Sequence, residues 1–336
     1  MRALVTGGHG FIGRHLVRRL RERGDEVRIL YRRAGLPESL AAWDVEVARG
    51  DLRDSASIAA AVRDIDAVFH LGGLTRARTR AEMFDVNAGG TARLLAAARD
   101  GGRVDRFVYC SSTAARGPSP CPTPVPDADL PPALSWYGAS KAHAEGLIVR
   151  HAGPLPWVTV RPTAVYGPGD RDFLTLFRAV ERGLALLPGG RGSVYSLVHA
   201  DDVVEALLAV TDTPQARGRT YTVAHPELLT MEAIIEAAEA AVGRRARRLP
   251  VPASVLRLVG SVADLGTQLT GRASLLGSQR VVEVAARHWV CSADALAADT
   301  AWRPVHDVRS GFAQTVEAYR REGQLAARQP GLPSRR

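Results

Sequence analysis

Short apolar runs recur along the first half of the chain, with polar, helix-patterned stretches between them. RALVTG, EVRILY, AVFHLGG, RFVYCSS and WVTVRP read as buried strands. Each is a brief run rich in branched or aromatic residues and bounded by turn formers. The intervening RHLVRRLRER, SASIAAAVRD, NAGGTARLLAAARD and SKAHAEGLIVRHAG repeat their apolar positions at helical spacing. Strand–helix alternation of this kind predicts an α/β architecture with a parallel, doubly wound sheet. SPCPTPVPDADLPPALSW is crowded with proline and is predicted to be a loop at the rim of a site.

After Pro168 the pattern changes. FLTLFRAVERG is predicted to be a helix, LPGGRGSVYSLV a turn and strand, and DDVVEALLAV a helix with Asp as its N-cap. RTYTVAH adds a strand and TMEAIIEAAEAAVG an amphipathic helix. PVPASVLRLVGSVADLGTQLTG is apolar on one side and rich in small residues, which fits a helical lid or substrate wall. Plain core packing and a membrane-surface helix are the other readings of that stretch. Residues 323–336, polar with Gly and Pro, are expected to be a disordered tail.

TGGHGFIG, at 6–13, follows the first strand and opens the first helix. In that context glycine serves three ends. Gly7 allows a tight turn, Gly10 lets backbone approach a pyrophosphate, and Gly13 lets helix and strand pack closely. With Phe11 and Ile12 they place a helix N-terminus where phosphates would lie. A dinucleotide-binding Rossmann domain is therefore expected over 1–170 and 195–225. A smaller, mostly C-terminal α/β substrate domain is expected over 171–194 and 226–322. At the end of the second strand, where an acid would select NAD, the chain reads Tyr31-Arg32-Arg33. Guanidinium groups clasp a 2′-phosphate that a carboxylate would repel, so NADP(H) is favoured over NAD(H). Asp51 and Leu52, in RGDLRD, are placed after a third strand, bordering the adenine.

Lys141 is the only lysine among 44 Lys+Arg, and it stands four residues after Tyr137 in WYGASK. On a helix the two share a face. A compact ammonium there is expected to lower the phenol's pKa and to donate to ribose hydroxyls, which a broad guanidinium does poorly. Ser112, at the end of the fourth apolar run, completes a proton-transfer unit with Tyr137 and Lys141: Ser112 polarises a carbonyl and Tyr137 moves the proton. No GxSxG elbow surrounds it, which argues against a serine hydrolase.

With these pieces the chain resembles the extended short-chain dehydrogenase/reductase, or epimerase/dehydratase, superfamily over about residues 1–320. The matching motifs are TGGHGFIG, GDLRD, HLGG, NAGGT, CSSTAARG, YGASK, RPTAVYGPG and VHADDVV. The resemblance implies that Leu71, Gly72, Gly73 and Asn87 line the cofactor. It implies too that Pro162, Thr163, Ala164 and Val165 meet its nicotinamide end, and that the protein is a homodimer. Nucleotide-sugar epimerases of the family carry Asn where this chain has Ala164, and an Arg where it has Tyr195 and Ser196. Dehydratases carry Asp-Glu where it has Thr113 and Ala114. The pattern is nearer the 3β-hydroxysteroid dehydrogenase and dihydroflavonol reductase branch. That branch implies an apolar ketone or secondary alcohol as substrate, with an epimerase and a non-catalytic NADP-binding regulator as alternatives. Thr113, Tyr166, Arg171, Phe173 and Tyr195 are the candidate substrate residues.

Composition adds little. Net charge is +9 and the pI about 10.1, but the arginines are dispersed without aromatic interleaving, so no nucleic-acid partner is expected. GRRARRLP at 243–250 reads as a solvated loop. Three scattered cysteines give no disulfide framework, and Cys110 reads as core. No metal is expected, because nine histidines form no ligand spacing and His199 reads as a strand end. The chain opens directly into a motif and holds no membrane-length apolar run, so the expectation is a cytoplasmic protein without a membrane span.

Overall fold

The computed structural model describes the chain except residues 36–37, 102, 189–191, 271–276 and 328–336. Seven strands form the large sheet: β1 (Arg2–Thr6), β2 (Glu26–Tyr31), β3 (Glu46–Arg49), β4 (Ala67–His70), β5 (Arg106–Cys110), β6 (Trp157–Pro162) and, after an excursion, β10 (Arg219–Val223). All pairs are parallel, in the order β10-β6-β5-β4-β1-β2-β3. The strand order reverses between β1 and β4, so a crevice opens there at the strands' carboxyl ends.

Helices cover both faces. α1 (Phe11–Glu22), α7 (Ala200–Asp212) and α11 (Asp294–Thr300) supply Leu16, Val17, Leu20, Val203, Leu207 and Leu296 to one core. α2 (Ser55–Val62), α4 (Gly90–Asp100) and α5 (Trp136–His151) supply Ile58, Leu94, Leu95, Ala144 and Ile148 to the other. A short helix α3 (Arg80–Phe84) runs through a π turn (Asp85–Gly89) into α4.

The remaining elements build a smaller unit. β9 (Val194–His199) pairs with β7 (Ala164–Tyr166), β11 (Leu228–Thr230) and β13 (His288–Trp289), while β8 (Leu184–Pro188) pairs with β12 (Arg247–Val251). α6 (Asp172–Glu181), α8 (Met231–Val242) and α12 (Val308–Arg321) close a third core around Phe177, Ile234, Phe312 and Tyr319. α9 (Ala253–Thr270) and α10 (Ser278–Ala285) form a helical pair at its edge. The return to the large sheet is made by α7 and β10, whereas β9 belongs to the smaller sheet.

Two local expectations are corrected. The N-cap of α7 is His199, whose Nδ1 accepts from Asp201 N at 3.2 Å; the two aspartates sit in the first turn instead. Within the expected tail, Leu325 is buried in the third core and Ala326 N donates to Glu181 at 2.8 Å. Residues 328–336 of that tail lie outside the described residues.

Candidate active site

The glycine loop forms the floor of the crevice. Gly7 adopts φ +72° and a Cβ there would lie 2.8 Å from Gly72 N, while a Cβ on Gly13 would lie 2.1 Å from Gly7 O. Two close backbone approaches thus bind the loop after β1, the start of α1 and the turn after β4 into one surface. Gly10 caps α1 without a side-chain bond, and no acid stands in the first turn, so the helix offers free N–H groups and a positive end to an anion. Phe11 and Ile12 are half-buried in that first turn. Thr6 Oγ1 accepts from Gly72 N at 3.0 Å and meets His70 Nδ1 at 2.7 Å, fixing the Leu71-Gly72-Gly73 turn. Burial pushes His70 down to about 3, with the Lys141 charge adding to it, so its ring is neutral.

Arg32 and Arg33 emerge exposed from the end of β2. Burial lowers the His9 pKa, and the charges of Arg32 and Arg33 lower it further, which places both guanidinium groups near the glycine loop. Tyr31 meets the His9 ring edge-on at 5.0 Å. Asp51 lies beside this group, 3.8 Å from Arg32 and hydrogen-bonded to Arg53, whose contact lowers its pKa. Leu52 is buried beneath it.

Across the crevice, Asn87 sits buried in the π turn, a distortion that re-aims one residue of a helix. Its Oδ1 accepts from Leu74 N at 2.7 Å and its Nδ2 donates to Leu74 O and Ser140 Oγ, both at 2.9 Å. A Cβ on Gly73 would lie 2.9 Å from Asn87 Oδ1 and 4.0 Å from Lys141 Nζ, so Gly73, Asn87 and Lys141 converge.

α5 starts at Ser135, whose Oγ accepts from Gly138 N at 3.0 Å. A Cβ on Gly138 would stand 2.2 Å from Ala114 O. That glycine lets α5 press against the 3-10 turn at Thr113–Arg116, whose cap is Ser112. The close approach sets the Ser112 hydroxyl on the side of the Tyr137 phenol, where it acts to lower the phenol's pKa. Ser112 Oγ also accepts from Ala114 N at 3.1 Å. Pro162 and Thr163 lie buried at the end of β6, followed by exposed Ala164 and half-buried Val165.

The tuning of Tyr137 differs from expectation. Burial raises the phenol's pKa, with Cys110 and Glu283 adding to the rise, and Ser112 and Arg280 oppose it. Lys141 is not among these principal influences. Its Nζ donates instead to Cys110 O at 2.8 Å and lies 4.6 Å above the Tyr109 ring. Burial lowers the Lys141 pKa, and the nearby Cys110 and Glu145 act to restore it.

Glu145, missed in the sequence, sits one further turn along the Tyr137–Lys141 face. Its carboxylate accepts from Ser111 Oγ at 2.5 Å and from Arg161 Nε at 2.9 Å, and Arg161 pairs onward with Asp127. Its i+4 spacing from Lys141 was the available signal. Gln279, Arg280 and Glu283 of α10 were also missed. Ser135 Oγ donates to Glu283 at 2.5 Å, Trp136 N donates to Gln279 Oε1 at 2.9 Å, and Arg280 pairs with Asp172 at 2.7 Å. No local pattern marks these three, because they reach the site across 140 or so residues of chain.

Of the candidate substrate residues, Thr113 lies beside Ser112 in the 3-10 turn and Arg171 is exposed ahead of α6. Tyr166 is corrected to a core residue: it is 1% exposed, and its hydroxyl donates to Asp307 O at 3.0 Å. Phe173 packs against it and against Phe312. Tyr195 is buried in the same third core. These aromatics pack in the smaller unit's core alongside Phe177, Phe312 and Tyr319. His199, Asp201 and His306 place donor atoms within 4.8 Å of one another. All three are engaged. His199 Nδ1 caps α7, Asp201 binds His15 at 2.7 Å and Arg18 at 2.8 Å, and His306 Nδ1 meets Asp202 at 3.0 Å.

The NAD dependent epimerase/dehydratase family matches residues 3–224. The chain belongs to that family. It is 31% identical over 321 residues to a ceramide reductase of Caulobacter vibrioides, covering 96% of this chain and 95% of that one. It is 33% identical over 285 residues to a 3 beta-hydroxysteroid dehydrogenase/isomerase of Mycobacterium tuberculosis, covering 77% and 74%. A solved UDP-glucose 4-epimerase of Thermus thermophilus in complex with NAD superposes with a TM-score of 0.75, at 27% identity, over 95% of this chain and 99% of that one. The chain is accordingly an NAD(P)-dependent oxidoreductase with a Rossmann fold. Among the described residues no helix is long and apolar enough to cross a membrane.

Proposed function

We propose that this enzyme reduces an apolar ketone, or oxidises the matching secondary alcohol, with NADP(H). The observation that carries the reading is what stands at two places where nucleotide-sugar enzymes grip a diphosphate. Ala164 offers no donor, and Tyr195 is folded into an apolar core. The ceramide, steroid and 2-alkyl-3-oxoalkanoate activities in the names of similar proteins agree with an apolar substrate.

The residues fit the cofactor. The α1 N-terminus and glycine loop would take the pyrophosphate, Arg32 and Arg33 the 2′-phosphate, and Lys141 the ribose. When bound, the nicotinamide supplies or accepts the hydride. The protein's own part is proton transfer. Ser112 donates a hydrogen bond to the substrate oxygen, and Tyr137 delivers the proton as that oxygen gains negative charge. A phenol whose pKa is raised by burial is protonated at neutral pH, which suits reduction.

Fluorescence titration with NADPH and NADH, on the wild type and an Arg32→Ala/Arg33→Ala variant, tests the cofactor assignment. The wild type is expected to prefer NADPH, and the variant to lose about tenfold or more of that preference. Equal affinity for NADH in the wild type would reject it. An epimerase, the reading that the Thermus thermophilus neighbour favours, would retain NAD through purification and show no net absorbance change on turnover.

A further inference from the structure

α9 carries two apolar faces, and among the described residues only one of them is packed against a neighbouring helix. Leu256, Gly260 and Ala263 face the α9–α10 junction, where a Cβ on Gly260 would lie 3.0 Å from Val281, and Ser278 N donates to Asp264 at 3.2 Å. The other face is Val255, Leu258, Val259 and Val262, spaced i, i+3, i+4, i+7. Their exposures are 46%, 66%, 43% and 63%. Four large apolar residues in one stripe are not scattered surface residues of the ordinary kind.

The β8–β12 pair, which runs into α9 through Pro252, carries outward apolar residues of its own. In the β8–β12 pair, Leu184 is aligned with Arg247 and Leu186 with Leu249. Ala185 and Leu187 point into the core, so Leu184 and Leu186 point out, at 44% and 54% exposed. Arg247 is exposed beside Leu184, and Arg245 is exposed just ahead of β12. An outward apolar face bordered by arginine, in a chain of net charge +9, complements a surface that is apolar within and anionic at its boundary.

We propose that the outer face of α9 with the β8–β12 edge docks on an anionic lipid bilayer, lying in its interface without spanning it. α9 packs on α10, and α10 holds Ser135 and Trp136 at the N-terminus of the helix bearing Tyr137. The docked face is therefore one helix removed from the site, on the side where α10 covers it. This goes beyond the reductase reading, and binding to a bilayer needs no turnover.

The test is co-sedimentation of the full chain with vesicles of phosphatidylcholine containing about one-third phosphatidylglycerol, against pure phosphatidylcholine vesicles. The expected result is binding to the anionic vesicles at least about tenfold tighter, weakened by salt. A Leu258→Asp/Val262→Asp variant is expected to lose at least about tenfold of that binding, and an Arg245→Glu/Arg247→Glu variant a similar amount. Both should keep the wild-type melting temperature and NADPH affinity, since neither touches a core or the glycine loop. No binding to either vesicle, or unchanged binding by the Leu258→Asp/Val262→Asp variant, would overturn the proposal. So would a wild-type dimer in sedimentation velocity that Leu258→Asp dissociates, because the face would then belong to a second copy. A folded, vesicle-bound protein that reduces no apolar ketone would sink the reductase reading and leave this one standing.

Discussion

Tyr137 and Lys141 share a helix face, but their environments pull in different directions. Burial raises the phenol and lowers the ammonium. A phenol held above its ordinary range carries its proton throughout neutral pH and can pass it to a forming alkoxide, which is the stronger base, while accepting one requires phenolate, which appears only at alkaline pH. Reduction should therefore stay level across neutral pH, and oxidation should climb with pH, in initial-rate profiles of the two directions. Tyr137→Phe should lose about a hundredfold or more of turnover with cofactor affinity kept. Glu145 acts through Lys141 as a positioning residue: its charge raises the lysine's pKa. In Glu145→Gln the lysine should deprotonate at lower pH, moving the alkaline limb of cofactor binding downward. A limb that stays in place would show that Glu145 serves Arg161 and Ser111 alone. The spacing of Tyr137, Lys141 and Ser112 was legible in the sequence. That the lysine amine reaches Cys110 O was not, because that contact depends on how α5 crosses β5.

At the level of elements, Gly138 is what lets the helix bearing Tyr137 meet the turn that carries Ser112. A methyl group there would stand 2.2 Å from Ala114 O, a contact no side chain can relieve because the obstacle is backbone. Gly138→Ala should shift α5 away from Ser112. The expected costs are about 1–3 kcal/mol of stability and a fall in turnover larger than the fall in cofactor affinity, read from denaturant unfolding and steady-state kinetics. Equal losses of turnover and affinity would mean that the helix moved without separating Tyr137 from Ser112. The buried strands and their helices were legible because parallel strands covered on both faces are apolar throughout. β3 was visible only as the segment ahead of Asp51, since it is an edge strand whose residues are mostly exposed. The N-cap of α7 was misassigned for a simpler reason. His199 and Asp201 both offer a lone pair near the helix start, and only the direction of β9 decides which one meets the free N–H.

Over the whole molecule, the two aspartates displaced from that cap join parts of the chain far apart in sequence. Asp202 accepts from Val305 N at 3.0 Å and His306 N at 3.1 Å, drawing the segment before α12 onto α7. Asp201 binds His15 and Arg18 of α1. Burial opposes its ionisation, but the His15 contact and the charge of Arg18 hold its carboxyl down at about 2. Because that pKa is depressed relative to an unfolded aspartate, the contribution is full above about pH 4 and is lost as pH falls through about 2. A shift of this size corresponds to roughly 2 kcal/mol. Asp201→Asn should therefore be less stable than the wild type by about that amount at neutral pH in denaturant unfolding. The gap should narrow as pH falls from about 4 toward 2, where the wild-type carboxyl is itself protonated. A gap that persists unchanged at acid pH would assign the loss to packing between α1 and α7 rather than to the charge. A gap absent at neutral pH would mean that His15 and Arg18 find water as good a partner as Asp201. α1 and α7 would then be held together by the apolar core they share, through Leu16, Leu20, Val203 and Leu207.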